Sequence, residues 1–437
     1  MASLNRDIAK LAIPSILANI TIPLVGLVDV AIAGHIADAA AIGGIAIGTM
    51  LFDLLYWNFG FLRVGTSGMT AQAFGRGDKN ECAGQLVHAL EIAIGGSLLI
   101  WLIQWLFVTA ALVLVPCSEA VAIQARHYFF ARVWAAPATL ALFALKGWFI
   151  GMQDTIRPMV CDLVVNAVNM VASYVLAVYT PLGVVGVAWG TVIAQYAGLL
   201  VAGGLLLLKY TSFFRQVTTP LRVMLASFDK HIFTLNRDLF IRSICFMVVY
   251  IGYTSLSARY GDEELAVSNL VMKLFMLVSY FVDGFAFAGE ALVGRKIGEK
   301  TGISSVVWSL HAWGMGVGVL FTVVFYFWGE NMMLFFWPDC ATAAQSFDYR
   351  PWLLAMPIMA VPAFLWDGIY VGATAGPQIR NAMILSAVAF VVIYLVLLYT
   401  TTLGIEAVLY AYFAHLVARD VYLTVIWKST YRKIYDR

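Results

Sequence analysis

Charge is what this 437-residue chain has least of. Asp, Glu, Lys and Arg make up 12 % of it, about half the share usual in soluble domains. That deficit excludes an ordinary water-soluble enzyme. The net charge of +2 is too small to point to a nucleic-acid partner. No GxxxxGK[ST] loop is present, so ATP bound in such a loop is not the energy source. HExxH, GxSxG and the kinase signature set are also missing, and a membrane-embedded enzyme is disfavoured because no paired acids or metal-ligand cluster converge. The five cysteines, Cys82, Cys117, Cys161, Cys245 and Cys340, form no CxxC, which argues against a zinc site or a redox dithiol. Cys161 and Cys245 are expected to pack as small hydrophobes. No metal and no cofactor is implied, and no cleaved leader is expected: Leu4–Lys10 is polar and the apolar run after it has span length.

What remains is apolar. Hydrophobic residues make up 62 % of the chain, in continuous runs rather than the alternation of a β-barrel. The expected fold is an all-α polytopic membrane protein of twelve transmembrane helices. By run length the spans are Ile8–Ala33, Ala41–Ala73, Gln85–Val115, Tyr128–Gly151, Met159–Tyr179 and Val184–Tyr210, then Leu239–Ser257, Leu265–Val293, Ser304–Phe327, Trp352–Ala373, Ala382–Thr400 and Ile405–Trp427. Lys and Arg fall on alternate connections, from Arg6 and Lys10 through Arg76, Lys79, Arg157, Arg215, Arg222, Arg295, Lys296 and Arg380 to Lys428 and Arg437; the opposite side holds only Arg126, Arg259 and Arg350. The positive-inside rule then makes both termini cytoplasmic in a cytoplasmic (inner) membrane.

The chain also repeats. LNRD occurs at Leu4–Asp7 and at Leu235–Asp238, each before the first span of a half. GRGDK after span two compares with GRKIGEK after span eight, and Lys146-Gly147 with Gly151 compares with Asp367-Gly368 with Gly372. YTPLG at Tyr179–Gly183 compares with YTTTLG at Tyr399–Gly404. Residues 1–210 read as an N-lobe, 211–234 as a cytoplasmic linker and 235–437 as a C-lobe. With six spans in each, the two lobes are parallel repeats related by a pseudo-two-fold axis along the membrane normal.

Polar residues inside the spans are the candidates for chemistry. Ile22–Ile36, IPLVGLVDVAIAGHI, carries one carboxylate, Asp29. An Asp there costs roughly 2.5–3.5 kcal/mol on insertion scales and marks a functional position. Burial penalises a lone carboxylate, which suits it to taking up and releasing a proton. Pro23, six residues earlier, interrupts helix hydrogen bonding and marks a bend. Asn166, Asn169 and Ser173 in span five and Thr191 in span six could orient that acid, or serve as interhelical hydrogen-bond glue. Arg63, Lys273, Asp283, Glu290 and Asp367, with Arg242, form a candidate charge network, since unpaired charges are too costly there. The many aromatics and methionines suit a pocket for flat, greasy cations.

Four stretches carry a family likeness: IPLVGLVDVAIAGHI, FGFLRVGTSGMTAQAFG at Phe59–Gly75, VDGFAFAGEALVGRKIG at Val282–Gly298 and WDGIYVGAT at Trp366–Thr374. With them the whole chain resembles the multidrug and toxic compound extrusion (MATE) family, in its DinF-like branch. The resemblance implies two six-helix lobes, alternating access, and antiport of an organic cation or other amphiphile against inward H⁺ or Na⁺. It also implies that Asp29 is the cation-binding acid of span one. Many members carry an Asp four residues after the span-five Asn; here Asn169 is followed by Ser173. One carboxylate fewer favours H⁺ over Na⁺ as the coupling ion. The expected partners are small organic cations or amphiphiles and the lipid bilayer, with the chain acting as a monomer. The rival reading is a flippase for a lipid-linked precursor, which needs a basic cavity built from Arg63, Lys146, Arg242 and Lys273.

Overall fold

The computed structural model describes residues 2–36, 39–115, 117–226, 230–336 and 348–435. Among them every regular element is helical: α1 Ala2–Ile36, α2 Ala39–Phe59, α3 Phe61–Arg76, α4 Lys79–Leu114, α5 Glu119–Arg132, α6 Ala136–Gly151, α7 Ile156–Val178 and α8 Val184–Phe214. A short α9, Leu221–Ala226, leads to α10 Lys230–Ser257, α11 Asp262–Gly298, α12 Ser304–Phe336, α13 Arg350–Gly372, α14 Gly376–Thr400 and α15 Glu406–Tyr435. Eleven stretches among the described residues are long and apolar enough to cross a membrane. The expected twelfth, α15, has the length, but His415, Arg419 and Asp420 lower its apolarity. His415 and Arg419 are each 1 % exposed, so those polar side chains are turned into the protein.

Two expected spans are broken. Span two divides at Gly60 into α2 and α3, and span four divides at a 3₁₀ turn, Val133–Ala135, into α5 and α6, with Pro137 at the start of α6. Span four also begins at Glu119, well before Tyr128, because Ser118 caps the helix by accepting from Val121 N.

By contact the chain forms two units, Leu17–Asp229 and Lys230–Arg437 with Met1–Ile16. The division falls inside α1. The start of α1 packs on α11, where Gly284 has no side chain to hold off Ala12 and Ile16, and Asn5 Oδ1 accepts from Trp313 Nε1 at 3.3 Å. After α8 the connecting segment is tied back to the N-terminal unit: Asn80 Oδ1 accepts from Thr218 N at 2.8 Å and Thr219 N at 3.1 Å.

Each unit uses the same helix pairs. In the N-terminal unit α3 packs on α6, α4 on α6 and α7 on α8; in the other, α11 packs on α13, α12 on α13 and α14 on α15. The glycine motif explains the first pairing. A side chain at Gly147 would run into Arg63 O, and one at Gly368 into Ala286 O; a Cβ at Gly151 would lie 2.7 Å from Ser67 O, and one at Gly372 would lie 2.7 Å from Glu290 O. Bare glycine lets these backbones touch. The backbone also turns at matching places: Gly77 and Lys300 after spans two and eight, and Gln153 and Thr374 after spans four and ten, all have positive φ. The acid of the second LNRD, Asp238, is 1 % exposed and accepts from Arg380 Nη1 at 2.8 Å and Arg237 Nη2 at 3.1 Å, so that motif fastens α10 to α14.

Candidate functional site

Each unit holds a cluster of polar side chains inside its spans. In the N-terminal unit they lie on α7, facing α1 and α8. Gly190 of α8 brings that backbone directly against Ser173. The close approach aligns hydroxyls with a backbone carbonyl. Thr191 Oγ1 and Ser173 Oγ both donate to Val187 O, each at 3.3 Å, and Asn169 Nδ2 donates to Thr191 Oγ1 at 3.0 Å. One turn earlier Asn166 Nδ2 donates to Thr21 Oγ1 on α1, and Thr21 donates onward to Ala18 O at 2.6 Å. Ser173 is wholly buried, and Asn169 and Thr191 nearly so. All these groups are neutral. Asp29 and Pro23 belong to α1, but their side chains lie outside the described residues.

In the C-terminal unit the cluster is charged. Asp367 of α13 accepts from Arg242 Nη2 of α10 at 2.8 Å, and Arg419 Nη1 of α15 lies 3.5 Å from the same Oδ2. Arg419 also stacks on Phe364, 5.2 Å from the ring centroid. Glu290 and Asp283 of α11 act on Arg242 at longer range, and Glu290 is buried. Among the described residues, Asp367 Oδ1, Arg242 Nε, Arg419 Nε and Nη2, and His415 Nδ1 are buried without a hydrogen-bond partner. Buried charges demand compensation; here two guanidiniums supply it to one carboxylate and tie α10, α13 and α15 together. Lys273 stands apart, exposed on α11, and Arg63 is half-buried on α3 in the N-terminal unit. Of the expected network, Asp367, Arg242, Glu290 and Asp283 come together in the C-terminal unit. Lys146, at the position matching Asp367, binds Asp162 of α7 at 2.7 Å.

Arg419 and His415, both in this buried cluster, were not among the expected candidates, and neither was Arg132 of α5, which donates to Tyr128 Oη, although all three lie inside expected spans. The signal was available: a charge within an apolar run, the same one that singled out Asp29.

These two clusters sit on a fold with known counterparts. A family profile, MatE, matches residues 14–175 and again 239–400, one match in each half. The chain is 34 % identical over 435 residues to DNA damage-inducible protein F of Escherichia coli (strain K12), covering 99 % of this chain and 94 % of that one. It is 22 % identical to a probable multidrug resistance protein NorM of Bacillus thuringiensis subsp. konkukian (strain 97-27), over 90 % of this chain and 87 % of that one. A crystal structure described as MATE in the bent conformation superposes with a TM-score of 0.85 at 18 % identity, covering 99 % of this chain and 95 % of that one. A profile that fits twice in tandem, a full-length relative and a shared fold agree with the internal repeat of glycines and turns: the chain belongs to the MatE family of multi-pass multidrug and toxic compound extrusion transporters.

Proposed function

We propose that the chain is a secondary active exporter of organic cations or amphiphilic compounds, driven by inward H⁺, with Na⁺ the less favoured ion. It works by alternating access in a cytoplasmic membrane, as a monomer with both termini inside, and does no chemistry on its cargo. Asp29 is the group that takes up and releases the proton. The observation that carries this reading is the neutrality of the α7–α8 cluster. Its amides and hydroxyls offer hydrogen bonds but no second carboxylate, and Ser173 donates to Val187 O at the position where an acid would strengthen a sodium site.

Height along the helices supports grouping Asp29 with that cluster. Spans one and five cross in the same sense, and Thr21 of α1 bonds to Asn166 of α7. Eight residues further, about 12 Å at 1.5 Å per residue, α1 reaches Asp29 and α7 reaches Tyr174, next to Ser173. Pro23 lies between Thr21 and Asp29, where a missing backbone donor favours bending. A related protein of this fold is described in a bent conformation, which is in keeping with a helix that has two shapes. Protonation of Asp29 in the outward-open state would then let α1 bend and expel substrate.

The flippase reading is the weaker one. Of its four basic residues, Lys146 is engaged by Asp162 and Arg242 by Asp367, which leaves little free charge for a pyrophosphate. The deciding experiment is substrate uptake into proteoliposomes under an imposed pH gradient, with and without Na⁺. We expect Asp29→Asn to abolish uptake at normal protein levels. Full uptake by that variant, or uptake that follows Na⁺ and ignores pH, refutes the assignment.

A further inference from the structure

One face of α2 is left uncovered. Ile42, Ala46, Met50, Asp53 and Trp57 are all exposed, and at 100° per residue they fall within an arc of about 80°. The opposite face is buried because Gly44 and Gly48 let α5 approach until its Gln124 and Tyr128 side chains occupy the place of a Cβ. Phe52 beneath the stripe stacks on Phe129 of α5, with ring centroids 4.8 Å apart. Asp53 is the only charged residue in α2. It stands thirteen residues into the candidate span Ala40–Arg76, about 20 Å from its start.

An exposed carboxylate inside a span is too costly to face lipid, so this stripe faces water or cargo. Asp53 makes no hydrogen bond or ion pair among the described residues. One cation, Arg132 of α5, acts on it electrostatically but is directed elsewhere: Nη1 donates to Tyr128 Oη at 2.9 Å, and the guanidinium lies 4.8 Å over the Phe52 ring. The carboxylate is thus held next to charge without being capped by it. On either side along the same face are a polarisable thioether and an indole, both suited to a soft, delocalised cation.

We propose that this stripe of α2 is a recognition surface for lipophilic monocations and that Asp53 is the residue that selects positive charge. The inference rests on the reading of the chain as an exporter of organic cations, and it is distinct from the coupling role of Asp29. Selection by Asp53 is a matter of affinity and needs no gradient, so it is tested by equilibrium binding to the purified full chain in detergent. The probes are tetraphenylphosphonium and the similarly sized neutral triphenylphosphine oxide. We expect the wild type to prefer the cation. Asp53→Asn should weaken cation binding about tenfold, the effect of roughly 1.4 kcal/mol, with less than about a twofold change for the neutral probe. Asp53→Glu should keep the preference. Met50→Lys, which places a positive charge on the same exposed face, should abolish it and gives an independent reading should Asp53→Asn fail to fold. A preference that persists in Asp53→Asn or Met50→Lys, or an equal loss for both probes, overturns the role of Asp53 and leaves the exporter reading standing. A wild type that does not prefer the cation overturns the proposal as well, and with it organic cations as the cargo, while export of neutral amphiphiles is tested separately by the uptake experiment.

Discussion

Removing the carboxylate of Asp367 should be among the most damaging single changes in the C-terminal unit. Arg242 at 2.8 Å and Arg419 at 3.5 Å each gain roughly 5–6 kcal/mol of gross attraction to it at an effective dielectric of about 20. Desolvation of three charges offsets much of that. The informative quantity is therefore the cost of one-sided removal, about 3–5 kcal/mol where a buried charge loses its partner. Asp367→Asn keeps the shape and leaves Arg242 to the more distant Glu290 and Asp283, and Arg419 to the Phe364 ring and Met383 Sδ. For a unit of this size, about 2–4 °C per kcal/mol translates the loss into a fall of about 10 °C in the melting temperature of the detergent-purified protein. Arg419→Met should cost less, because the shorter bond to Arg242 survives. The triple change Asp367→Leu, Arg242→Met, Arg419→Met should be more stable than Asp367→Asn alone, since it leaves no member of the triad unpaired. An Asp367→Asn protein that melts with the wild type would refute the view that this triad ties α10, α13 and α15 together.

The glycine contacts predict a sharp contrast. Gly368→Ala and Gly147→Ala, which drive a Cβ into Ala286 O and Arg63 O, should each destabilise by about 2 kcal/mol or more through overpacking. Gly203→Ala, where nothing lies within 4 Å, should be neutral or stabilise the helix by up to about 1 kcal/mol; equal melting of all three would undo the close-approach argument. Ser173→Asp should introduce Na⁺ stimulation of uptake by placing a carboxylate next to Val187 O and Asn169. Uptake by that variant that remains indifferent to Na⁺ would sever the link between a second acid and ion choice.

The architecture was legible because membrane burial imposes a coarse rule: every backbone group must be satisfied within helices, so apolar run length alone locates spans. The repeat was legible for a narrower reason. Gly147 and Gly368 are fixed by backbone contact, and a glycine needed for contact leaves a trace that hydropathy does not. The breaks at Gly60 and Val133–Ala135 did carry local signals, Gly60 itself and Pro137 just after the 3₁₀ turn, but hydropathy averaged over a whole span hides them. At the sites, Asp29 and Asp367 stood out as charges that interrupt an apolar run, while Arg132 and Arg419, which do the same, did not. Nothing in the order of residues says that Arg419, fifty-two positions after Asp367, returns to the same oxygen, or that Lys273 turns outward while Glu290 turns in.

The two units share one backbone plan and put different chemistry on it. At matching positions of the glycine motif, Lys146 is answered by Asp162 and Asp367 by Arg242. Each helix carrying the motif is thus fixed by a charge of opposite sign in the two units. In the C-terminal unit the fixed charge is compensated internally by two arginines that cannot lose their protons, so the cluster has a standing counter-ion and gains little from an external cation. In the N-terminal unit the cluster on α7 has hydrogen bonds to offer and no charge of its own. A mobile proton is useful where a carboxylate lacks a resident cation and neutral donors can follow its state. By that criterion the coupling proposed here belongs with the neutral cluster of the N-terminal unit, while the triad around Asp367 serves to hold α10, α13 and α15 together.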